Sequence, residues 1–143
     1  MEAPKKLLMI DDDKILLDVF RVVCEAKGYE FHGACSAAEG MTKILEVGPD
    51  AIILDVMMED FVAGYRVLSE LRTPGPGSEF ARFSRVPIIL LTGVASRTNA
   101  SLRDRVGTAL LPVDAYVEKP VEPAEMLAVI DRVLAARGPD AGA

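Results

Sequence analysis

Three continuous apolar runs and one shorter one punctuate the chain, and each leads straight into a residue that carries chemistry. Leu7-Leu8-Met9-Ile10 leads to Asp11 and Asp12, Ala51-Ile52-Ile53-Leu54 to Asp55, Ile88-Ile89-Leu90-Leu91 to Thr92, and Tyr116-Val117 to Lys119. Runs this short and this uniformly apolar predict strands buried on both faces, as in a parallel sheet. The segments between them change period. Leu16, Val19, Phe20 and Val23 fall at helical spacing, with Asp13 placed to cap the helix and Gly28 at the stop position. Tyr29 to Ala34 predicts a second strand, less apolar than the first and therefore assigned to the sheet edge. Ser36-Ala37-Ala38-Glu39 matches a capping box, and Met41, Ile44 and Leu45 supply the apolar face of a second helix.

Tyr65, Val67, Leu68 and Leu71 predict a third helix ending near Arg72. Thr73 to Arg85 contains Pro74-Gly75-Pro76-Gly77, which cannot continue a helix and reads as an irregular loop. Pro87 opens the fourth strand, where a missing N–H is tolerated. Beyond Thr92 the pattern weakens: Leu102 and Val106 suggest a short helix, and Gly107 to Asp114 a second long connection. Ala115 to Val117 predicts the fifth strand. Pro123 opens a last helix that buries Met126, Leu127, Ile130, Val133 and Leu134 and stops at Gly138-Pro139. Five strands alternating with five helices imply an α/β fold, a doubly wound five-stranded parallel sheet. The order 2-1-3-4-5 brings strands one, three and four side by side.

Composition narrows the class. With 143 residues, half of them hydrophobic, the chain is expected to form one domain over 1–137 with a disordered tail at 138–143. There are 16 basic against 22 acidic residues, a formal charge of −6, and no basic stripe, so nucleic acid is not expected as a direct partner. Cys24 and Cys35 have no metal-type spacing and read as two reduced thiols. No apolar stretch approaches the ~20 residues needed to span a bilayer, which together with the thiols implies a cytoplasmic protein.

In open α/β sheets, ligands sit outside the carboxyl ends of the strands. If the four runs are neighbours, Asp11, Asp12, Asp55, Thr92 and Lys119 meet there. Three carboxylates, a hydroxyl and an ammonium are what is needed to hold a divalent cation and a phosphoryl group together. Carboxylates crowded this way repel one another unless a cation or Lys119 offsets their charge.

These residues resemble the receiver domains of bacterial two-component response regulators (CheY-like), and the likeness covers nearly the whole chain. It rests on Met-Ile-Asp-Asp-Asp around Asp11-Asp12, Leu-Asp-Val-Met-Met around Asp55 followed by Gly64, Leu-Leu-Thr-Gly around Thr92, and Lys119-Pro120 preceded by Tyr116. The resemblance implies a flavodoxin-like (βα)5 three-layer sandwich and a stand-alone, non-enzymatic signalling module. Asp55 would accept a phosphoryl group from a phosphohistidine on a sensor histidine kinase or a histidine phosphotransfer protein. Mg²⁺ would be held by Asp12 and Asp55, by Asp11 through water, and by the backbone carbonyl of Met57. Lys119 and Thr92 would contact phosphoryl oxygens, and Thr92 with Tyr116 would form the switch that alters a surface for a downstream protein. The expected state is a monomer or a weak phosphorylation-dependent homodimer, with no membrane contact.

Glu59 stands where the family usually has proline and Ala63 where it often has aspartate. The stretches from Asp55 to Thr92 and from Thr92 to Lys119 are both several residues longer than usual. Two other readings compete. A haloacid dehalogenase-type phosphatase would use Asp11 as nucleophile and Asp13 as acid, which leaves Asp55 unexplained. A pseudo-receiver would keep the fold as a binding module without phosphorylation.

Overall fold

The computed structural model describes residues 3–55, 61–93 and 113–137. Five parallel strands, β1 (Lys6–Ile10), β2 (Glu30–Ala34), β3 (Ala51–Asp55), β4 (Ile88–Thr92) and β5 (Ala115–Glu118), form one sheet in the order β2-β1-β3-β4-β5. Four helices, α1 (Lys14–Ala26), α2 (Ala37–Val47), α3 (Phe61–Arg72) and α4 (Pro123–Arg137), flank it among the described residues. The expected helix through Leu102 and Val106, most of the connection Gly107 to Asp114, and the tail 138–143 lie outside the described residues.

The central strands are apolar on both faces because both faces are covered. Leu8, Ile10, Ile52, Leu54, Ile88 and Leu90 pack on one side with Ile44 of α2 and Val67, Leu68 and Leu71 of α3. Leu7, Met9, Ile53, Ile89, Leu91 and Val117 pack on the other with Leu17, Phe20 and Cys24 of α1 and Met126, Ile130 and Val133 of α4. The alternation along each strand is the period of two that separates the faces. Each fully buried leucine or isoleucine contributes about 1.5–3 kcal/mol relative to exposure. β2 pairs with β1 alone, through Lys6↔Glu30 to Ile10↔Ala34, so its mixed composition is that of an edge.

The helix ends follow local chemistry. Asp13 caps α1, its Oδ1 accepting from Leu16 N at 3.1 Å. Gly28, at φ 91°, takes the left-handed conformation past the end of α1, and Tyr29 N donates back to Cys24 O. Tyr29, expected to open β2, thus belongs to this turn, and the strand starts one residue later. Ser36 Oγ accepts from Glu39 N at 3.1 Å at the start of α2. Gly48, at φ 64°, ends that helix in the left-handed region, a stop signal absent from the expectations above.

The Pro-Gly segment is more structured than an irregular loop. Ala81–Phe83 forms a short 3-10 turn, Phe83 is buried, and Phe80 packs against the core under α2 and α3. Phe80, α2 and α3 together bound a groove of about 350 Å³ lined by Ala37, Met41, Ala63, Arg66 and Val67. Arg72 anchors the far end of the segment by donating to Ser84 O and Val86 O at 3.1 and 2.7 Å. The segment enters β4 at that strand's amino end, while Phe80 reaches along the groove to Ala37 in the first turn of α2.

Candidate functional site

β1, β3, β4 and β5 finish at one edge of the sheet, and their last residues or the ones just beyond hold the chemistry. Ile10 pairs with Leu54, Asp55 with Leu91, and Thr92 with Glu118, so the ends are in register. Asp11 is 0% exposed, Thr92 0% and Asp55 4%, whereas Asp12 faces solvent. Two carboxylates and a hydroxyl are therefore sealed at the base of a pocket whose rim is acidic.

Backbone bonds hold these groups where they are. Asp11 N donates to Ala34 O at 3.0 Å, tying the end of β1 to the end of β2, and Asp13 N donates to Asp11 Oδ1 at 2.9 Å. Lys119 N donates to Thr92 O at 2.7 Å, continuing the β4–β5 ladder one residue past β5. This last bond aims the lysine side chain into the pocket. Its Nζ sits 3.0 Å from Asp11 Oδ2 and 3.2 Å from Asp55 Oδ2. Partial burial works to lower the Lys119 pKa, but contact with Asp11 and the charge of Asp55 outweigh it and hold the ammonium above its ordinary value.

One carboxylate oxygen of each of Asp11, Asp12 and Asp55 lies within 4.8 Å of the others. Asp11 Oδ2 is buried and accepts no aligned hydrogen bond among the described residues; it faces the ammonium only as an ion pair. A buried anionic oxygen lacking an aligned donor, inside an all-oxygen set of three carboxylates, fits a hard divalent cation. Met57, whose carbonyl was expected in that set, and its neighbours Glu59 and Asp60 lie outside the described residues.

Thr92 and Tyr116 are in direct contact, Thr92 Oγ1 donating to the tyrosine hydroxyl at 3.2 Å. The tyrosine is half-buried against the core face that carries Leu54 and Leu90. Its hydroxyl also reaches Glu118 Oε1 at 3.5 Å. Glu118 was missed from sequence; the signal was its place two residues after Tyr116 on a strand, which puts both side chains on one face. His32, expected away from the pocket, pairs with Glu30 on the edge strand at 2.7 Å, and that bond holds the Glu30 carboxylate below its usual range.

Residues 7–131 match the family described as the response regulator receiver domain, and the chain belongs to that family. It is 30% identical over 139 residues to the response regulator MprA of a Mycobacterium species, covering 97% of this chain and 54% of that protein. It is 28% identical over 129 residues to the DNA-binding dual master transcriptional regulator RpaA of Synechocystis, covering 90% of this chain and 48% of that protein. The chain thus spans about half the length of the curated relatives it matches. Among solved structures, a CheY-like receiver domain protein from Methanospirillum hungatei superposes with a TM-score of 0.72 at 29% identity, over 94% of this chain and 96% of that one.

The receiver resemblance and its doubly wound fold are thereby established, and the chain is a signalling domain by family. The expectation of no nucleic-acid partner does not fit the RpaA name, which is that of a DNA-binding regulator. Asp13, which a dehalogenase-type phosphatase would need as its acid, has its carboxylate engaged at the start of α1. Among the described residues no helix is long and apolar enough to cross a membrane.

Proposed function

We propose that Asp55 is the phosphoacceptor of this receiver domain and takes a phosphoryl group from the phosphohistidine of a sensor kinase or histidine phosphotransfer protein. An Asp55 carboxylate oxygen attacks phosphorus, the P–N bond breaks, and its electron pair stays on the imidazole nitrogen. The observation that carries this reading is the position of Lys119, whose ammonium touches both Asp11 and Asp55 where the strand ends meet. A cation so fixed offsets the charge of the acceptor and is in reach of an oxygen of the incoming group.

Asp11, Asp12 and Asp55 would hold Mg²⁺, which when bound supplies charge neutralisation between an anionic acceptor and an anionic donor. Burial of Asp55 beneath this rim excludes bulk water from the acceptor. Thr92 is placed to give its hydroxyl proton to a phosphoryl oxygen, which would take it from Tyr116 and repack the surface around β5. That surface then serves a downstream protein in the cytoplasm, the chain acting as a monomer or a weak phosphorylation-dependent homodimer. The domain is read as spanning 1–137.

Incubation with acetyl phosphate and Mg²⁺ followed by intact-mass measurement tests the reading. A single adduct is expected in the parent and none in Asp55→Asn. An adduct that survives Asp55→Asn but disappears in Asp11→Asn would transfer the nucleophile to Asp11 and end the proposal.

A further inference from the structure

Two surfaces outside the phosphoryl pocket match each other. On α1 the outermost line is apolar: Ile15 is 77% exposed, Val19 43% and Val22 69%, at i, i+4 and i+7 of one helix face. A contiguous apolar ridge of this kind on a solvent face marks a contact surface. On the other side of the sheet, the groove between α2 and α3 is lined by Met41, Val67 and Phe80. Each surface also carries a base followed four residues later by an acid, Lys14 and Asp18 beside the ridge, Arg66 and Glu70 at the groove. The base-first order is the weaker one for a pair within a helix. Among the described residues, none of these four side chains has a hydrogen bond or ion pair.

We propose that α1 of one copy of this chain docks as a ridge in the α2–α3 groove of a second copy. Laid antiparallel to α3, the ridge brings Lys14 to Glu70 and Asp18 to Arg66. Charges that pair poorly within their own helices then form two ion pairs between copies, flanking the apolar contact of Ile15, Val19 and Val22 with the groove. Two grooves set face to face would also match Arg66 with Glu70, but two concave surfaces leave the space between them unfilled. Ridge and groove lie on opposite faces of the sheet, so the contact is heterologous. A docked pair still offers one free ridge and one free groove, and association continues past the dimer. This contact uses neither metal nor a phosphoryl group, so it goes beyond the phosphoacceptor reading and is separate from a phosphorylation-dependent homodimer.

Sedimentation equilibrium of the full, metal-free chain from micromolar to millimolar concentration is expected to show association beyond the dimer. Ile15→Lys on the ridge and Arg66→Glu at the groove both change exposed side chains. Each should weaken association at least roughly tenfold, the second by setting a like charge against Asp18. Mixed together, the two variants should associate one to one and stop there, because the Arg66→Glu chain keeps its ridge and the Ile15→Lys chain keeps its groove. Adding Asp18→Lys to Arg66→Glu should restore association. A readout on the parent alone needs no variant: the amide shifts that move with concentration should be those of α1 and of the groove between α2 and α3. A parent that stays monomeric at millimolar concentration overturns the proposal. So does a single variant that associates like the parent, a mixture that stays monomeric, a double variant no better than Arg66→Glu, or shifts on one of the two surfaces alone. Association that appears only after beryllofluoride and Mg²⁺ are added overturns it too, while leaving the reading of Asp55 intact.

Discussion

The ammonium of Lys119 sits 3.2 Å from Asp55 Oδ2, joining residues from strands that are not neighbours in the sheet, since β4 lies between β3 and β5. The side chain crosses the end of β4 to make this contact and its companion to Asp11. Removing it leaves a buried carboxylate without its counter-charge. Lys119→Ala is expected to destabilise the metal-free chain by about 1–3 kcal/mol, less than the ~3–5 kcal/mol of a fully buried pair because the lysine side chain keeps 27% exposure. Denaturant unfolding checks this, and Mg²⁺ should restore much of the loss, since the three carboxylates remain. The sensitivity to pH follows from the raised lysine pKa. A cation held above its unfolded value of 10.5 contributes stability that is fully present below that pH and is lost as pH rises through the folded value. The parent should therefore lose stability above about pH 10.5 through this pair, and Lys119→Ala should lack that component. A Lys119→Ala chain as stable as the parent without metal would show the ion pair to be incidental.

Asp13 separates the receiver reading from a phosphatase reading by its job at the helix start. Its Oδ1 accepts from Leu16 N, and the side chain is exposed. Asp13→Ala should cost about 0.5–2 kcal/mol through loss of the cap, and Asp13→Asn much less, since asparagine caps nearly as well. Both variants should still form the acetyl phosphate adduct. Loss of the adduct in Asp13→Asn at full stability would reopen the phosphatase reading.

The strand-end chemistry was legible in the sequence for a physical reason. A strand buried on both faces must be apolar along its length, so the first polar residue after it marks where the sheet edge begins. Asp11, Asp55 and Thr92 each stand at such a break. Lys119 follows a shorter run, and the backbone bond from its N to Thr92 O is what makes the run long enough to aim it. The positions that sequence did not disclose depend on the path of a connection. Arg72 was expected only to mark the end of α3, yet the segment after it folds back and presents Ser84 O, Val86 O and Asp114 to the guanidinium. Pro74-Gly75-Pro76-Gly77 excludes a helix but says nothing of Phe80 and Phe83 finding the core under α2. Glu118 fell one residue beyond the expected strand, Ala115 to Val117, and β5 runs on to include it.

Asp114 ties three elements at the edge of the sheet opposite the pocket. Its Oδ2 accepts from Ile88 N at 2.8 Å and from Arg72 Nη2 at 3.0 Å, and its own N donates to Ile88 O at 2.9 Å. The carboxylate is 46% exposed, so the ion pair is partly screened. The bond to the Ile88 amide and the loss of a partner for Arg72 carry most of the effect. Burial lowers the Arg72 pKa while Asp114 opposes it, as expected for a guanidinium that relies on its partner. Asp114→Ala should destabilise by about 1–2 kcal/mol. Asp114→Asn, which keeps an acceptor for Ile88 N, should recover about half. Thermal unfolding separates the two, and beryllofluoride affinity should be unchanged in both because the site lies at the other ends of the same strands. A changed affinity at unchanged stability would mean the two edges communicate.

Gly40 marks where α2 approaches β1 too closely for a side chain. A Cβ built there would stand 2.6 Å from Ile10 Cδ1 and 3.0 Å from both Cγ1 and Cγ2. Ile10 is fully buried and precedes Asp11, so an outward push on it reaches the base of the pocket. Alanine would gain up to ~1 kcal/mol of helix propensity over glycine. Overpacking of a tight core costs about 1–3 kcal/mol and outweighs that gain. Gly40→Ala should therefore lower stability by up to about 2 kcal/mol. Ile10→Val removes the nearest atom, Cδ1, so the double variant should lose less than the sum of the singles, the sign of two groups competing for one space. Strict additivity would mean that α2 shifts as a body to accept the methyl group. In that case the Asp11–Lys119 contact, read from amide shifts in the metal-free chain, should move in Gly40→Ala and remain displaced in the double variant.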